Sequence, residues 1–299
     1  MIRTALLAGG VSFGAACLAL LSILAARARW PLRARGDGRP LAGGAIGVGV
    51  LLAAAVASDR VPSLVLGGGA AIVLVGFLDD WLDLAPWQKL LGQAVAAGLA
   101  AAALGPASIS FLGQELPLGA AGWAVSFLWL MALPNAVNLI DGLDGLALAV
   151  VSWPLVALLG LALWDGDPFG AVLAGAALGA VAAFLPANLP RARLLLGDEG
   201  AELLGYALAV LSLRLLHVGA APGAWDVVPS LLLAGVPLGD TAFAVLRRSF
   251  RGRSILRGDE DHVHHRLARR VGAKRAVLVL GAASALCALG GVFLWRAGA

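Results

Sequence analysis

Long apolar stretches separated by short polar segments constrain this chain more than any other feature of its sequence. Ten such stretches lie at residues 4–25, 41–58, 62–78, 88–105, 119–138, 145–164, 169–187, 201–217, 229–246 and 276–295. At a helical rise of about 1.5 Å per residue, each is about long enough to cross a bilayer core. Because hydrocarbon offers backbone groups no hydrogen-bond partner, the stretches must be helices. The sequence predicts an all-α, polytopic transmembrane helical bundle of about ten helices, forming one domain over residues 1–299.

The composition agrees with a membrane protein. Only 13% of the 299 residues are charged and 60% are hydrophobic, so a charged soluble surface cannot be built. The net charge of +4 does not indicate a nucleic-acid partner, because the basic residues stand between apolar stretches. Cys17 and Cys287 lie in apolar stretches at opposite ends and predict no disulfide framework. The first stretch looks like a signal peptide, but its length and the basic cluster after it favour a retained helix.

The distribution of basic residues predicts the orientation. With the N-terminus outside, the inward-facing segments are residues 26–40, 79–88, 139–144, 188–200 and 247–275. Together with Lys89 at a helix mouth, they hold eighteen of the twenty-two Lys and Arg residues. By the positive-inside rule, we expect a multi-pass protein of the cell (inner or plasma) membrane with both termini outside and an active site in cytoplasmic loops.

Carboxylates cluster on the same inward-facing segments, where ionisable groups near membrane depth are costly and tend to mark function. Asp79 and Asp80 end the third stretch. Adjacent carboxylates repel each other unless a cation or a proton intervenes, so a Mg²⁺ site or a general base is one interpretation, although this pair alone does not favour it. The alternative is a solvated helix end that caps the next helix.

A polar ladder begins inside the end of the fifth stretch and continues into the segment after it. Its four side chains recur every three residues: Asn135, Asn138, Asp141 and Asp144. This spacing places them along one helical stripe. Gly142 and Gly145 allow the chain to turn and approach a ligand closely. Because Asn and Asp oxygens suit Mg²⁺, and because such a ladder is costly inside an apolar stretch, a functional site is favoured over a polar turn.

The segment 188–200 runs from Asn188 to Gly197 and Asp198, just before an apolar helix. The Asp198 carboxylate could cap that helix or hold a metal ion. The free N–H groups at the same helix start would also favour a phosphate. The residues alone leave both interpretations open.

The segment 247–275 carries many Arg residues and three of the four histidines, His262, His264 and His265. A zinc site is conceivable for a histidine cluster. The hard carboxylates elsewhere favour phosphate binding by Arg and His instead. The simpler alternative is an orientation signal or a contact with anionic lipid.

In this order, the four motifs resemble the polyprenyl-phosphate N-acetylhexosamine-1-phosphate transferases, a superfamily that includes phospho-N-acetylmuramoyl-pentapeptide transferase. The resemblance covers nearly the whole chain, and Gly43-Gly44 looks like the family's early glycine motif. The segment 252–267 is more similar to the UDP-N-acetylglucosamine branch, because the muramoyl-pentapeptide branch would show three consecutive histidines. The chain is short for the family, and Ala201 replaces the usual small hydroxyl-bearing residue after Gly-Asp-x-Gly.

The resemblance implies a Mg²⁺-dependent reaction in which a UDP-N-acetylhexosamine donates sugar 1-phosphate to a polyprenyl (undecaprenyl-type) phosphate and UMP is released. This would be the first membrane step of cell-envelope glycan synthesis. The partners are the lipid phosphate, the UDP-sugar and the membrane, and a homodimer is one option for the oligomeric state. A transporter with polar breaks in its helices is the non-enzyme alternative, but its polar groups should converge near the membrane midplane.

The resemblance also assigns roles to residues. Asn138 and Asp198 are the implied Mg²⁺ ligands, and Asp79 is the implied base or the group that orients the acceptor phosphate. The remaining acids of the implied catalytic shell are Asp80, Asp141 and Asp144. The implied substrate-binding residues are Asn135, Asn188, Arg253, His262, His264 and His265, of which the last four would hold the pyrophosphate.

Overall fold

The computed structural model describes residues 1–26, 39, 41–57, 59–111, 114–116, 118–189, 191–218, 227–252 and 261–298. Within these ranges the helices are α1 (Ile2–Ala26), α2 (Gly44–Val56), α3 (Ser63–Leu82), α4 (Pro86–Leu104), α5 (Ala120–Ile140), α6 (Leu146–Asp165), α7 (Pro168–Asn188), α8 (Gly197–Val218), α9 (Val227–Leu233), α10 (Gly235–Phe250), α11 (Val263–Val271) and α12 (Ala273–Gly298). Between α4 and α5, strands β1 (Ile109–Phe111) and β2 (Gln114–Leu116) form a short antiparallel hairpin.

The predicted all-helical class is confirmed, whereas the count of about ten membrane spans is not. Among the described residues, six helices are long and apolar enough to cross a membrane, or seven if the pair α9 and α10 is one broken span. Helix α2 has only 13 residues. In α4, Gln88, Lys89 and Gln93 lower the hydropathy of the first half. The predicted stretch 229–246 is broken by an 82° bend between α9 and α10.

The centre of the bundle is formed by α7 and α8, whose side chains are mostly buried. Helix α1 crosses α7 at glycines, where the backbones approach closely. A Cβ atom built on Gly179 would lie 2.1 Å from the carbonyl oxygen of Gly9, and one built on Gly175 would lie 2.7 Å from that of Ala5. Such small-residue contacts are how helices associate in lipid, where apolar burial gives little driving force.

Several helix ends meet on one face of the bundle. The chain before α2 runs parallel to the segment before α8, with Leu41 bridged to Leu195 and the Ala42 N–H donating to the Leu195 carbonyl at 2.9 Å. Contact is so close that a Cβ atom on Gly43 would lie 1.9 Å from the Leu196 carbonyl oxygen. Near the end of α3, a Cβ atom on Gly76 would lie 2.4 Å from the Cα atom of Glu199. These contacts fix the start of α8 against α2 and α3.

A buried ion pair secures the opposite face. Arg214 of α8 donates from Nε and Nη2 to the two carboxylate oxygens of Asp167, each at 2.6 Å. Asp167 also accepts the Phe169 N–H at 3.1 Å, which caps α7. The guanidinium lies 4.4 Å from the centre of the Phe169 ring. One bidentate pair therefore joins α8 to the start of α7.

Replacing Arg214 with Gln should lower the free energy of unfolding by about 2 to 4 kcal/mol. The change leaves the Asp167 carboxylate buried without its partner, and the lower value allows for the partial exposure of Arg214. Thermal unfolding of purified protein in detergent measures the loss. Arg60→Gln is the control, because Arg60 pairs with Asp59 on the surface, where both side chains are at least half exposed. Equal melting temperatures for the two variants would contradict this role of Arg214.

Candidate active site

A lysine surrounded by carboxylates marks the face where the helix ends meet. The Lys89 ammonium, in the first turns of α4, contacts Asp79 Oδ2 at 2.9 Å, Glu202 Oε1 at 2.6 Å and the Asp198 carboxylate. Glu202 is fully buried, and the other three side chains are each less than a fifth exposed. Buried charges are tolerated when they are paired, and here one cation serves acids from α3 and α8.

Amide side chains extend this cluster onto α5. Asn138 Nδ2 donates to Asp198 Oδ2 at 2.9 Å and to Glu202 Oε1 at 3.5 Å. One turn earlier, Asn135 and Gln93 of α4 exchange two hydrogen bonds at 2.7 and 3.3 Å. The first two members of the predicted polar ladder therefore lie on the face of α5 that meets α4 and α8.

Local hydrogen bonds fix the ends of α3 and α8. Asp79 Oδ1 accepts the Leu84 N–H at 3.0 Å, while Asp83 ends α3 in the left-handed region at φ 52°. Asp80 Oδ2 accepts the Asp198 N–H at 3.0 Å. The two adjacent aspartates therefore have different partners. Asp79 pairs with Lys89, and Asp80 accepts the Asp198 N–H and so fixes the first turn of α8.

The environment separates the two acids in the first turn of α8. Burial alone would raise the pKa of the Asp198 carboxyl, but the Lys89 ammonium and the hydrogen bonds of Asp198 hold it below the usual range. For Glu199, burial raises the pKa to about 7, aided by the neighbouring Asp80 and opposed by the hydrogen bond from the Gly44 N–H. Asp198 is therefore the more acidic member of the pair.

The loop after α5 is held by the other predicted acids and amides. Asp144 accepts from Arg39 Nη1 at 2.7 Å and from the Ala192 N–H at 3.1 Å. Asn188 accepts the Gly145 N–H at 2.8 Å and donates to the Leu194 carbonyl at 2.9 Å, and it is buried. An open cleft lies beside these bonds, lined by Arg39, Asp141, Gly142, Leu143, Asp144, Asn188, Leu195, Leu196 and Gly197.

The histidine motif lies on the other side of that loop. His262 and His264 are buried against Asp240 of α10, and His265 is partly exposed at the start of α11. A Cβ atom on Gly142 would lie 2.6 Å from His264 Nε2 and 2.9 Å from His265 Cε1. Asn138, near the end of α5, contacts the Lys89 cluster, and Gly142, just after α5, contacts the histidines. This part of the chain therefore connects the two groups. The remaining predicted ligand, Arg253, lies outside the described residues.

Four polar residues of this face were not singled out from the sequence as site residues: Lys89, Gln93, Glu202 and Asp240. Each lies within one of the apolar stretches read from the sequence, which is itself a signal of function. Glu202 also follows Asp198 by four residues, so the two share a helix face, and Gln93 follows Lys89 by the same interval. Their partners belong to other helices, so spacing within one helix does not identify them.

The donor set of the Lys89 cluster fits Mg²⁺. Asp198, Asn138 and Glu202 offer the carboxylate and amide oxygens that this ion prefers. Glu202 Oε2 is buried and accepts no hydrogen bond within the described part of the chain. A buried acceptor of this kind is costly unless a partner completes it, and a cation would do so.

Comparison with known proteins gives a consistent result. Residues 63–216 match the sequence family described as glycosyl transferase family 4. The chain is 32% identical to a probable undecaprenyl-phosphate N-acetylglucosaminyl 1-phosphate transferase of Bacillus subtilis, over 81% of this chain and 69% of the relative. It is 30% identical to the undecaprenyl-phosphate alpha-N-acetylglucosaminyl 1-phosphate transferase of Escherichia coli, over 85% of this chain and 72% of the relative.

A mycobacterial relative is similar as well. The decaprenyl-phosphate N-acetylglucosaminephosphotransferase of Mycolicibacterium smegmatis is 34% identical over 75% of this chain, but the match spans only 61% of the relative's length. The residues 63–216 that match the family include Asp79, Lys89, Asn138, Asp198 and Glu202, and therefore the whole Lys89 cluster.

Replacing Gly76 with Ala should destabilise the protein by about 1 to 3 kcal/mol, because the added methyl group must separate α3 from the start of α8. Thermal unfolding in detergent provides the measurement. Gly67→Ala in the same helix is the matched control. Its Cβ atom would meet only a Leu99 side-chain carbon at 3.8 Å, and it should be neutral or stabilising by up to about 1 kcal/mol. A Gly76→Ala variant as stable as Gly67→Ala would show that the close approach is unimportant.

Proposed function

The chain belongs to glycosyl transferase family 4, and from this premise we propose that it transfers N-acetylhexosamine 1-phosphate from a UDP-sugar to a polyprenyl phosphate and releases UMP. The observation that carries the proposal is the convergence of Asp79, Asn138 and Asp198 around Lys89, next to a cleft whose lining includes Gly142, the residue against which His264 and His265 pack. The relatives in Bacillus subtilis and Escherichia coli are both named for the transfer of N-acetylglucosaminyl 1-phosphate to undecaprenyl phosphate. UDP-N-acetylglucosamine is accordingly the first donor to test.

The reaction requires two polyanions to meet. In the net reaction, a bond forms between an oxygen of the lipid phosphate and the phosphorus nearest the sugar, the bond from that phosphorus to the UMP oxygen breaks, and UMP leaves with the electron pair; direct attack and a covalent aspartyl-phosphate route both give this result. Lys89 keeps Asp79 and Asp198 close together in spite of their like charges. Asp79 is the group that accepts a proton from the acceptor phosphate or orients it. Phosphoryl transfer depends mainly on such positioning and on charge neutralisation.

Asn138 and Asp198 would hold Mg²⁺, and Glu202 has an unused oxygen beside them. When bound, the ion would supply neutralisation of the phosphate charges. The cleft lined by Asp141 and Asp144 provides room for the donor, and the histidines lie behind Gly142, where the pyrophosphate would be held. Arg39 contributes a positive charge at the cleft, although its guanidinium also pairs with Asp144.

The proposed location of the site is the cytoplasmic face of the cell membrane. Eighteen of the twenty-two Lys and Arg residues belong to the segments on that face or to the adjoining helix mouth. The donor is soluble and polyanionic, whereas the acceptor is confined to the bilayer, so a site at the membrane surface gives access to both. A transporter is disfavoured, because the described polar residues gather at the ends of α3, α5 and α8 rather than at mid-membrane depth.

Purified protein supplied with Mg²⁺, polyprenyl phosphate and UDP-N-acetylglucosamine should release UMP. Asp198→Asn should lower the rate at least about 100-fold, because the metal-binding carboxylate is lost. Removing Mg²⁺ with EDTA should abolish release, and added Mg²⁺ should restore it. Asp165→Asn, on the opposite face, is the control and should remain active.

Two outcomes of this assay would contradict the proposal in different ways. Robust turnover by Asp198→Asn would refute the assigned metal ligand. No UMP release by the wild-type protein with any member of a panel of UDP-sugars would refute the proposed reaction.

Single cysteines introduced into a variant lacking Cys17 and Cys287 should report the orientation. A cysteine at exposed position Arg193 should react with a membrane-impermeant maleimide only after cells are permeabilised, because that loop is proposed to be cytoplasmic. A cysteine at exposed position Asp59 should react in intact cells. The reverse labelling pattern would invert the proposed topology.

A further inference from the structure

Asp240 is a buried carboxylate whose two oxygens both serve the histidine motif. It lies in α10 and is 5% exposed. Asp240 Oδ2 lies 2.7 Å from His262 Nδ1. Asp240 Oδ1 accepts the backbone N–H of His264 at 3.1 Å and lies 3.2 Å from His264 Nδ1. One side chain therefore fixes the start of α11 and two imidazole rings at once.

The contacts of Asp240 determine how His264 is presented. With Nδ1 directed at a carboxylate, the favoured state has a proton on Nδ1, and the opposite ring nitrogen, Nε2, points away. When Nε2 also carries a proton, its N–H can donate to a phosphate oxygen. His264 is fully buried, and its Nε2 has no hydrogen-bond partner within the described part of the chain. That atom is aimed at the Gly142 turn, which lines the cleft, and the ring lies 4.2 Å from the ring of His265.

A metal ion is the other way to bring these three side chains together, since their ligand atoms lie within 4.8 Å of one another. The surroundings argue against it. Arg247 and Arg248 are both buried on α10, and Arg248 Nη2 lies 3.4 Å from His262 Nε2. Asp240 Oδ2 and His262 Nδ1 are 2.7 Å apart, which is a hydrogen-bond distance and is shorter than the separation of two ligands that each bind one tetrahedral zinc ion at about 2.0 to 2.1 Å. Hydrogen bonding between Asp240 and the two imidazoles is the better description.

We propose that Asp240 is a positioning residue: it fixes His262, whose other ring nitrogen meets Arg248, and it orients His264 so that Nε2 of that ring is directed toward the pyrophosphate of the donor. Asp240 itself touches no substrate and acts only through the rings that it holds. The inference rests on the proposed function for the identity of the ligand, but the orientation of the rings can be measured without turnover.

The kinetic test compares Asp240→Asn, His264→Ala and the double variant with the wild-type enzyme in the UMP-release assay. Side chains that orient metal-binding histidines typically contribute about 10- to 100-fold, and we expect a similar contribution from Asp240. Asp240→Asn should therefore raise KM for the UDP-sugar at least about 10-fold, and KM for the polyprenyl phosphate should stay within about twofold. The double variant should be little worse than His264→Ala, because residues that act through one another are not additive. Asp165→Asn serves as the control.

A spectroscopic test stands apart from activity. In protein labelled with ¹⁵N at histidine, at least two imidazoles should carry a proton on Nδ1, and the His264→Ala and His262→Ala variants should each remove one of those signals. Asp240→Asn should change the Nδ1–H signals of both His262 and His264. Zinc content is measured on the same samples, and the metal should be absent.

Several results would overturn the proposal. They are equal KM changes for donor and acceptor, full additivity of the two substitutions, fewer than two Nδ1-protonated rings, and stoichiometric zinc that is lost in Asp240→Asn. Failure of the wild-type enzyme to turn over any UDP-sugar would instead refute the proposed function, and the spectroscopic result would still decide the role of Asp240. If Asp240→Asn fails to fold, the wild-type spectrum and Asp240→Glu, which keeps the charge, provide the test.

Discussion

The Lys89 ammonium allows three carboxylates from two helices to lie together inside an apolar bundle. Without a cation, Asp79, Asp198 and Glu202 would repel one another, and burying them would be strongly unfavourable. With Lys89 in their centre they draw the ends of α3 and α8 onto the first turns of α4. Asn138 then joins α5 to the same cluster. The cluster therefore gathers three carboxyl groups around one ammonium.

Close backbone contacts fix the position of the helix ends that carry this cluster. Gly43 and Gly76 let the chain before α2 and the end of α3 approach the first turn of α8 at distances that a side chain would forbid. Asp80 completes the arrangement by accepting the Asp198 N–H. Beyond α5, the Gly142 turn carries the same face on to His264 and His265. The Lys89 cluster, the cleft and the histidines are therefore held together by neighbouring helix ends.

The sequence predicted the features that depend on residues close together along the chain, namely the helices and the polar face of α5. The apolar stretches became helices, and the spacing of Asn135 and Asn138 placed both on the face of α5 that meets α4 and α8. The predicted number of membrane spans was not confirmed, because contacts between helices, and not the apolar pattern alone, determine where a helix bends, as between α9 and α10. Lys89, Glu202 and Asp240 could not be paired from the sequence, because each meets partners from distant segments. Asn188 was predicted to bind substrate, yet both polar atoms of its amide are engaged by backbone groups, a role that only the folded loop reveals.

The chemistry follows from the location as much as from the residues. Acids at mid-bundle would have no access to a soluble nucleotide, and acids in a long hydrophilic loop would have no access to a lipid phosphate.

The central claim is that the cluster around Lys89 binds the divalent cation that the proposed reaction needs. Titration of purified protein with Mn²⁺, followed by electron paramagnetic resonance, tests it most directly. The account predicts one site that Asp198→Asn weakens at least about 10-fold and Asp165→Asn leaves unchanged. Equal Mn²⁺ affinity in Asp198→Asn and the wild-type protein would contradict it.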